Sequence, residues 1–282
     1  MLITADIAKV RRIIQQARLK GKKVGFVPTM GALHQGHLSL VKASNRQSDF
    51  TVVSIFVNPL QFGPKEDLKK YPRRFKPDRK LLKKEKVDLL FYPSAKDLYP
   101  KDFSISVSEG QLSKFLCGIS RPGHFKGVCT VVTKLFNIIQ PDQAYFGQKD
   151  CQQARIIRRL VRDLNFPLEI KVLPTVRESD GLALSSRNQY LNPKQRKDAR
   201  VIYQALRLAK KDIQNGQRNP ARIIKAMRQR LSSVKSLKID YLEIANAESL
   251  NKLKTIKGKV LITLAVYLAK VRLIDNIILN VD

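Results

Sequence analysis

The stretch Pro28-Thr29-Met30-Gly31-Ala32-Leu33-His34-Gln35-Gly36-His37 restricts the fold more than any other part of this 282-residue chain. It follows a short apolar run, Val24 to Val27, and precedes a helical pattern carried by Leu38, Leu40 and Val41. The order is strand, glycine-rich loop, helix start. A helix start offers free backbone N–H groups to an anion, and glycines let a ligand come close to the backbone. His34 and His37 add side-chain donors there, and the chain has only one other histidine, His124. A plain turn with solvated histidines is the simpler reading of the same residues. A zinc site would need a third ligand from another stretch. Cys117, Cys129 and Cys151 have no metal-binding spacing, so no metal ligands are assigned.

The flanking patterns predict a parallel α/β architecture. Ile7, Val10, Ile14 and Ala17 mark residues 4–20 as a helix, with Thr4 or Asp6 as N-cap and Gly21 as stop. Residues 23–27 read as a strand, the helix after His37 runs to about Gln47, and Thr51 to Val57 suits a buried parallel strand. The Pro/Gly-rich loop from Asn58 to Pro64 follows that strand. Ligands bind at the carboxyl ends of strands in an open parallel sheet. Asn58 and Gln61 therefore share a rim with His34 and His37, although turn chemistry alone explains their amides equally well.

Residues 65–86 hold eleven Lys/Arg against four acids and read in part as a solvated helix with a thin apolar face at Leu81 and Leu82. Val87 to Tyr92 reads as a strand, and Phe103 to Val107 alternates like an edge strand. Arg121 to Phe125 opens a helix of about 125–139, with His124 either capping a turn or contacting ligand. Asp142 to Phe146 is a strand that leads into Gly147-Gln148-Lys149-Asp150 and a helix from Cys151, a second candidate nucleotide contact. There Lys149 can neutralise phosphate charge and Asp150 can bind a ribose hydroxyl. Leu168 to Leu173 is a further strand. In the loop from Val176 to Asn188, Ser185, Ser186 and Arg187 can grip a triphosphate; an ordinary interdomain loop is the alternative.

After Pro193 the texture changes. Ile202, Leu206, Ala209 and Ile213 form one helical stripe, and Ile224, Met227 and Leu231 another. Strands follow at 239–244, 260–268 and 271–279, the last two too close for a helical crossover and hence antiparallel. The predicted fold is α/β: a Rossmann-like parallel-sheet domain over residues 1–175 and a smaller α+β domain over 176–282.

The net charge of +31 would suit a nucleic-acid or membrane-surface binder. The charge is spread through several helices and Trp is absent, so no stacking platform for single strands is evident. A solvated basic surface, with no specific nucleic-acid partner, is the preferred reading. Three scattered cysteines are too few for a disulfide framework and fit a reducing cytoplasm. The first 23 residues read as one amphipathic helix leading into the motif strand, leaving little for a removable leader. The longest apolar run, Val260 to Ala269, is about half a membrane span, so no membrane partner is expected.

His34-Gln35-Gly36-His37 has the His-x-Gly-His form of the nucleotidylyltransferase superfamily. The longer run, with Pro28, Met30, Gly31 and Leu38-Ser39-Leu40-Val41, resembles the pantothenate synthetases (pantoate–β-alanine ligases). The resemblance continues through Asn58-Pro59-Leu60-Gln61-Phe62, Arg121-Pro122-Gly123-His124-Phe125, Phe146-Gly147-Gln148-Lys149-Asp150 with the following Gln152-Gln153, and Leu184-Ser185-Ser186-Arg187, in the family's order.

It implies ATP binding by Met30, Gly31, Ala32, Leu33, His34, Gln35, Gly36 and His37, and by Gly147, Gln148, Lys149 and Asp150. Val176, Leu184, Ser185, Ser186 and Arg187 belong to a loop that closes over ATP, as the KMSKS loop does in class I aminoacyl-tRNA synthetases. Pantoate binding is implied for Asn58, Gln61 and Gln153, with Gln61 also lining the β-alanine position, and catalytic roles for His34, His37 and Lys149. The resemblance implies a proton donor at His37; its role reads here as chiefly electrostatic, since no covalent step requires it.

Two residues depart from the family's pattern. Gln148 stands where Glu is more usual, so its side chain is assigned no role. Leu184 stands where Met is expected, a volume-conserving swap of small consequence.

The implied reaction begins with attack of the pantoate carboxylate on the α-phosphate of ATP. Pyrophosphate leaves, and the β-alanine amine then converts the bound pantoyl adenylate to pantothenate and AMP. Mg²⁺ accompanies the triphosphate, and the family forms homodimers through the first domain. One rival is another nucleotidylyltransferase built on the same loop, against which the small-acid site of Gln61 and Gln153 argues. The other is a basic nucleic-acid-binding protein.

Overall fold

Buried apolar runs alternate with helices over the first 173 residues. In the computed structural model, which describes residues 1–64 and 66–282, they build one six-stranded parallel sheet. Its strands are β1 (Leu2–Thr4), β2 (Val24–Thr29), β3 (Phe50–Ile55), β4 (Leu89–Phe91), β5 (Gln143–Gly147) and β6 (Glu169–Leu173), in the spatial order β1-β4-β3-β2-β5-β6. Val24, Phe26, Val27, Val52 and Val53 are fully buried, as strands covered by helices on both faces require. From β2 the chain steps to β3 and β4 on one side, then returns to start β5 on the other. The strand order therefore reverses between β2 and β5, which pair at Gly25–Gln143 and Phe26–Ala144. A crevice at the carboxyl ends of two such strands is where open α/β sheets take ligands. Both glycine-containing loops singled out in the sequence, after β2 and after β5, open there.

The helices of this half are α1 (Ile7–Leu19), α2 (Gln35–Gln47), α3 (Phe75–Lys84), α4 (Ala95–Leu98), α5 (Cys117–Ser120), α6 (His124–Ile139) and α7 (Cys151–Asp163). Asp6 caps α1 by accepting from the Lys9 N–H, and Gly21 turns the chain at φ +70 after its end. Residues 1–23 are not a single helix, however: β1 precedes α1 and pairs with β4. Three half-exposed residues carry no readable period, which is why the sequence hid this edge strand. The edge strand expected at Phe103 to Val107 does not form. Ile105 is 75% exposed there, and Val107 is tied through its N–H to the Thr130 hydroxyl on α6 rather than to a strand.

The last part of the chain forms α8 (Pro193–Asp198), α9 (Arg200–Gln214), α10 (Pro220–Ser232) and an antiparallel sheet β7 (Leu237–Asn246), β8 (Gly258–Leu268) and β9 (Val271–Val281). Ile202, Leu206, Ala209 and Ile213 are buried as expected, whereas the stripe of α10 is set by Ile223 rather than Ile224. Alternation along β8 sends Val260, Ile262, Leu264 and Val266 into a core with α9 and α10. The opposite face of the sheet turns to the first half: Leu261 joins its core, and Thr263 and Tyr267 line a cleft between the two halves. An irregularity between Ile239 and Tyr241 shifts the register of β7. Ile239 and Leu242 can then both meet the helices while Tyr241 faces the cleft.

Candidate active site

The turn after β2 is made by Gly31 at φ +81 and Ala32 at φ +49, both left-handed. Ala32 and Leu33 donate their N–H groups to the Asp78 carboxylate on α3, at 2.8 and 2.9 Å. His34 is the N-cap of α2, its Nδ1 accepting from the Gly36 N–H at 3.1 Å, and the His34 N–H in turn donates to Nδ1 of His37 at 3.3 Å. These bonds fix the tautomers: a neutral ring whose Nδ1 accepts carries its proton on Nε2. The two rings lie 4.1 Å apart between centroids. Burial, then the charge of Lys149, lowers His34 to about 4 despite Asp150. Burial also holds His37 well below the usual histidine range, helped by His34 and Lys149. At neutral pH both are uncharged Nε2–H donors. Gly36 is required by this packing, because a Cβ there would lie 2.9 Å from Cε1 of His34.

The expectation of free backbone N–H groups is corrected here. Those of Gly31, Ala32, Leu33, His34, Gly36 and His37 all have acceptors within the protein. What this loop offers to a phosphate is imidazole, with little bare backbone.

Asn58, in the loop after β3, is 1% exposed. Its Nδ2 donates to Gln61 Oε1 and to the Gly127 carbonyl, while its Oδ1 accepts from Leu60 N–H and the Tyr99 hydroxyl. All four of its hydrogen-bonding positions are thus taken by protein, and its direct effect is to orient Gln61. The amide nitrogen of Gln61 lies 3.0 Å from Sδ of Met30, bringing the β3 loop against the β2 loop. Gly127 lets α6 pack directly on the same loop, since a Cβ there would come within 2.2 Å of the Leu60 carbonyl.

His124 neither caps α6 nor stands free. Its Nδ1 lies 2.9 Å from the Gln61 carbonyl and its Nε2 3.0 Å from Nη1 of Arg121, so Nδ1–H donates and Nε2 accepts. Burial and Arg121 lower it to about 4. Arg121 also grips Glu66 with two bonds of 2.6 and 2.7 Å.

After β5, Lys149 and Asp150 line the cleft, and the field of Lys149 reaches both histidines. The Gln148 side chain faces the second sheet instead. Its Nε2 donates to Asn276 Oδ1, and Asn276 Nδ2 donates to the carbonyls of Gln148 and Lys149. Gln148 therefore docks this turn on β9, and any nucleotide contact it makes is through backbone.

The 176–188 segment folds back on itself, with Leu184 N–H donating to the Val176 carbonyl. Its far end lies across the histidine loop: Ser186 donates to the Ala32 carbonyl at 3.1 Å, and a Cβ on Gly36 would touch Cβ of Leu184. Ser185 accepts from the Arg187 N–H. Arg187 is held by Asp67 through two bonds of 2.8 and 2.9 Å, close to the Tyr71 ring. Burial opposes the ionisation of Asp67, but Arg187 outweighs it and holds the carboxyl below its usual range.

The cleft has a volume of about 950 Å³. Lys149, Asp150, Gln153, Ser185 and Arg187 are in its wall, as are His124, Arg121, Glu66 and Asp67. His34, His37, Asn58 and Gln61 are not. Among the described residues no group of three or more His, Cys, Asp or Glu could hold a metal ion. Three contributors escaped the sequence reading: Glu66, Asp67 and Asp78. They are acids of the basic 65–86 segment, whose partners are far away in the chain.

Comparison with known proteins gives consistent likenesses. A family model described as pantoate-beta-alanine ligase matches residues 2–278. A pantothenate synthetase of Thermotoga neapolitana is 54% identical over 280 residues, covering 99% of this chain and 100% of the relative. One of Caldicellulosiruptor bescii is 52% identical over 280 residues, covering 99% of each. Among solved structures, the pantothenate synthetase of Thermus thermophilus matches with a TM-score of 0.94 at 46% identity, over 98% of this chain and 99% of that one. A pantoate-beta-alanine ligase of Francisella tularensis, complexed with beta-gamma ATP and beta-alanine, matches with a TM-score of 0.81 at 37% identity, over 98% and 97%.

Proposed function

The chain belongs to the pantoate–beta-alanine ligase family, and we propose how its own residues accomplish the ligation. The enzyme joins pantoate and β-alanine to give pantothenate, with ATP as a substrate. The observation that carries the site reading is the meeting of two neutral Nε2–H imidazoles and Lys149 at the reversal of strand order.

In the proposed first step the pantoate carboxylate attacks the α-phosphorus and pyrophosphate leaves. In-line displacement at phosphorus asks for positioning and for donors where charge moves. His34, His37 and Lys149 supply those donors. Neutral imidazoles hydrogen-bond the phosphates without contributing a proton, which fits an electrostatic role. Gln61, oriented by Asn58, and Gln153 hold pantoate, and Gln61 borders the β-alanine position. Met30 to His37, Gly147 to Asp150, Val176 and Leu184 to Arg187 enclose ATP. Arg187, paired with Asp67 in this structure, would exchange that carboxylate for triphosphate oxygens on binding ATP.

Mg²⁺ would enter with ATP as the magnesium complex, bound by triphosphate oxygens. Residues 1–175 form the nucleotide- and pantoate-binding domain and 176–282 the lid in this reading. A homodimer through the first domain and a cytoplasmic location complete it, the latter in keeping with three free, buried cysteines. Among the described residues no helix is long and apolar enough to cross a membrane.

A pyrophosphate-release assay with pantoate, other small acids and several nucleotides tests the reading. Release should require ATP and pantoate together. Equal release with unrelated acids would contradict the assignment of Gln61 and Gln153.

A further inference from the structure

Asp78 lies in the most basic stretch of the first domain, yet it is only 2% exposed. It projects from the first half of α3 towards a loop 45 and 46 residues earlier in the chain. One carboxylate oxygen accepts from Ala32 N–H and the other from Leu33 N–H. The same carboxylate packs against Gly31, where a Cβ would lie 3.1 Å from Oδ2. Left-handed backbone at a residue other than glycine persists only when its surroundings over-determine it. Ala32, at φ +49, is in that position, and Asp78 is the group that binds its N–H. One residue beyond Leu33 comes His34, whose ring orientation depends on where this turn delivers it.

We propose that Asp78 is a positioning residue for adenylation: its carboxylate fixes the Gly31–Leu33 turn, and through it the placement of His34 and His37, without touching substrate. Burial raises the Asp78 carboxyl above its usual range, partly offset by the two N–H bonds and by the charge of Arg74, the residue just before α3. The pair of donors matches an ionised carboxylate. An amide offers only one acceptor atom, so Asp78→Asn would set an NH₂ group against one of the backbone N–H groups.

The chain's three histidines make the test specific, because His124 is held separately by Arg121 and Gln61 and serves as an internal reference. Histidine titrations by NMR and steady-state pyrophosphate release are measured on the full chain for the parent, Asp78→Asn and Asp78→Glu. Glu keeps the charge and displaces it by one methylene.

A displaced reacting group typically costs about 10²-fold in rate, and turnover in Asp78→Asn should fall on that order. The half-saturating pantoate concentration should change far less than turnover, since Asn58, which orients Gln61, is anchored by Gly127, Leu60 and Tyr99. His34 should titrate above its parent value of about 4, towards 6.5, with His37 rising too and His124 unmoved. Asp78→Glu should show the same pattern, weaker.

Parent-like turnover and titrations in a folded variant overturn the proposal. So does a parallel shift of all three histidines in both variants, which would make Asp78 a general stability residue. The inference rests on the site reading above, and the two fail differently. If His34→Ala leaves adenylation intact, the site reading is wrong. If His34 matters and Asp78 does not, only this inference is wrong.

Discussion

His34 has one task seen in the fold and one proposed for it, and substitution can separate them. Its Nδ1 caps α2 by accepting from Gly36 N–H, and its Nε2–H is assigned to the phosphates. Serine is a strong N-cap and is too short to reach where an imidazole Nε2 reaches. His34→Ser should therefore keep the cap and lose the donor, whereas His34→Ala loses both. Replacing a capping side chain by Ala typically costs about 0.5–2 kcal/mol of stability. Urea denaturation should place the Ala variant lower by about that amount, with the Ser variant near the parent. Removing one preorganised donor to developing charge costs about 10²–10³ in rate, or about 2.7–4 kcal/mol of barrier. Both variants should show that loss in pyrophosphate release at neutral pH, with equal size. Recovery of near-parent turnover by Ser alone would mean that His34 matters only as a helix cap, and the electrostatic role would be refuted.

Gln61→Ala and Gln153→Ala should raise the pantoate requirement far more than that for ATP, since an unpaired buried polar group costs roughly 1–3 kcal/mol; initial-rate kinetics with each substrate varied would show it, and an effect confined to ATP would contradict the assignment. Stability should decline as pH falls from 6.5 towards about 4, because His34 and His124 stay neutral in the fold while the unfolded chain takes up protons. Urea midpoints between about pH 6.5 and 5, above the usual carboxylate range, isolate this effect, and a rising midpoint on acidification would contradict it. Binding to RNA or DNA should be non-specific and fall steeply with salt, as diffuse basic helices and counterion release require; a sequence-selective complex at physiological salt would revive the nucleic-acid reading.

The parallel sheet was legible because buried strands such as Val24–Val27 and Thr51–Val53 are continuous apolar runs separated by helical periods. The place of the candidate site, at the reversal of strand order, was proposed from two loops that interrupt strand-to-helix transitions with glycine, and both loops open there. Less was legible wherever partners lie far apart in sequence. Asp67 meets Arg187 from 120 residues away, Glu66 meets Arg121 from 55, and Asp78 meets Ala32 from 46. In a segment of eleven basic residues these acids read as ordinary surface neutralisation. The occupied N–H groups of the histidine loop were hidden for a different reason: histidine is not a favoured N-cap, so nothing signalled that His34 and His37 would satisfy the helix start themselves. Gln148 was legible as a departure from the family, but its partner Asn276, on the last strand, was not.

The most direct test of the adenylate mechanism follows the carboxylate oxygens of pantoate. No cysteine lies in either phosphate loop, and burial pushes the thiol of Cys151, just after Asp150, up to about 12, so a covalent acyl-enzyme has no ready nucleophile there. Activation then falls to the nucleotide, and one carboxylate oxygen bridges to the α-phosphorus. Pantoate carrying heavy oxygen in its carboxyl group is turned over with ATP and β-alanine, and the products are weighed by mass spectrometry. The account predicts one labelled oxygen in AMP for each pantothenate formed; label in pyrophosphate or free phosphate, with none in AMP, would contradict it.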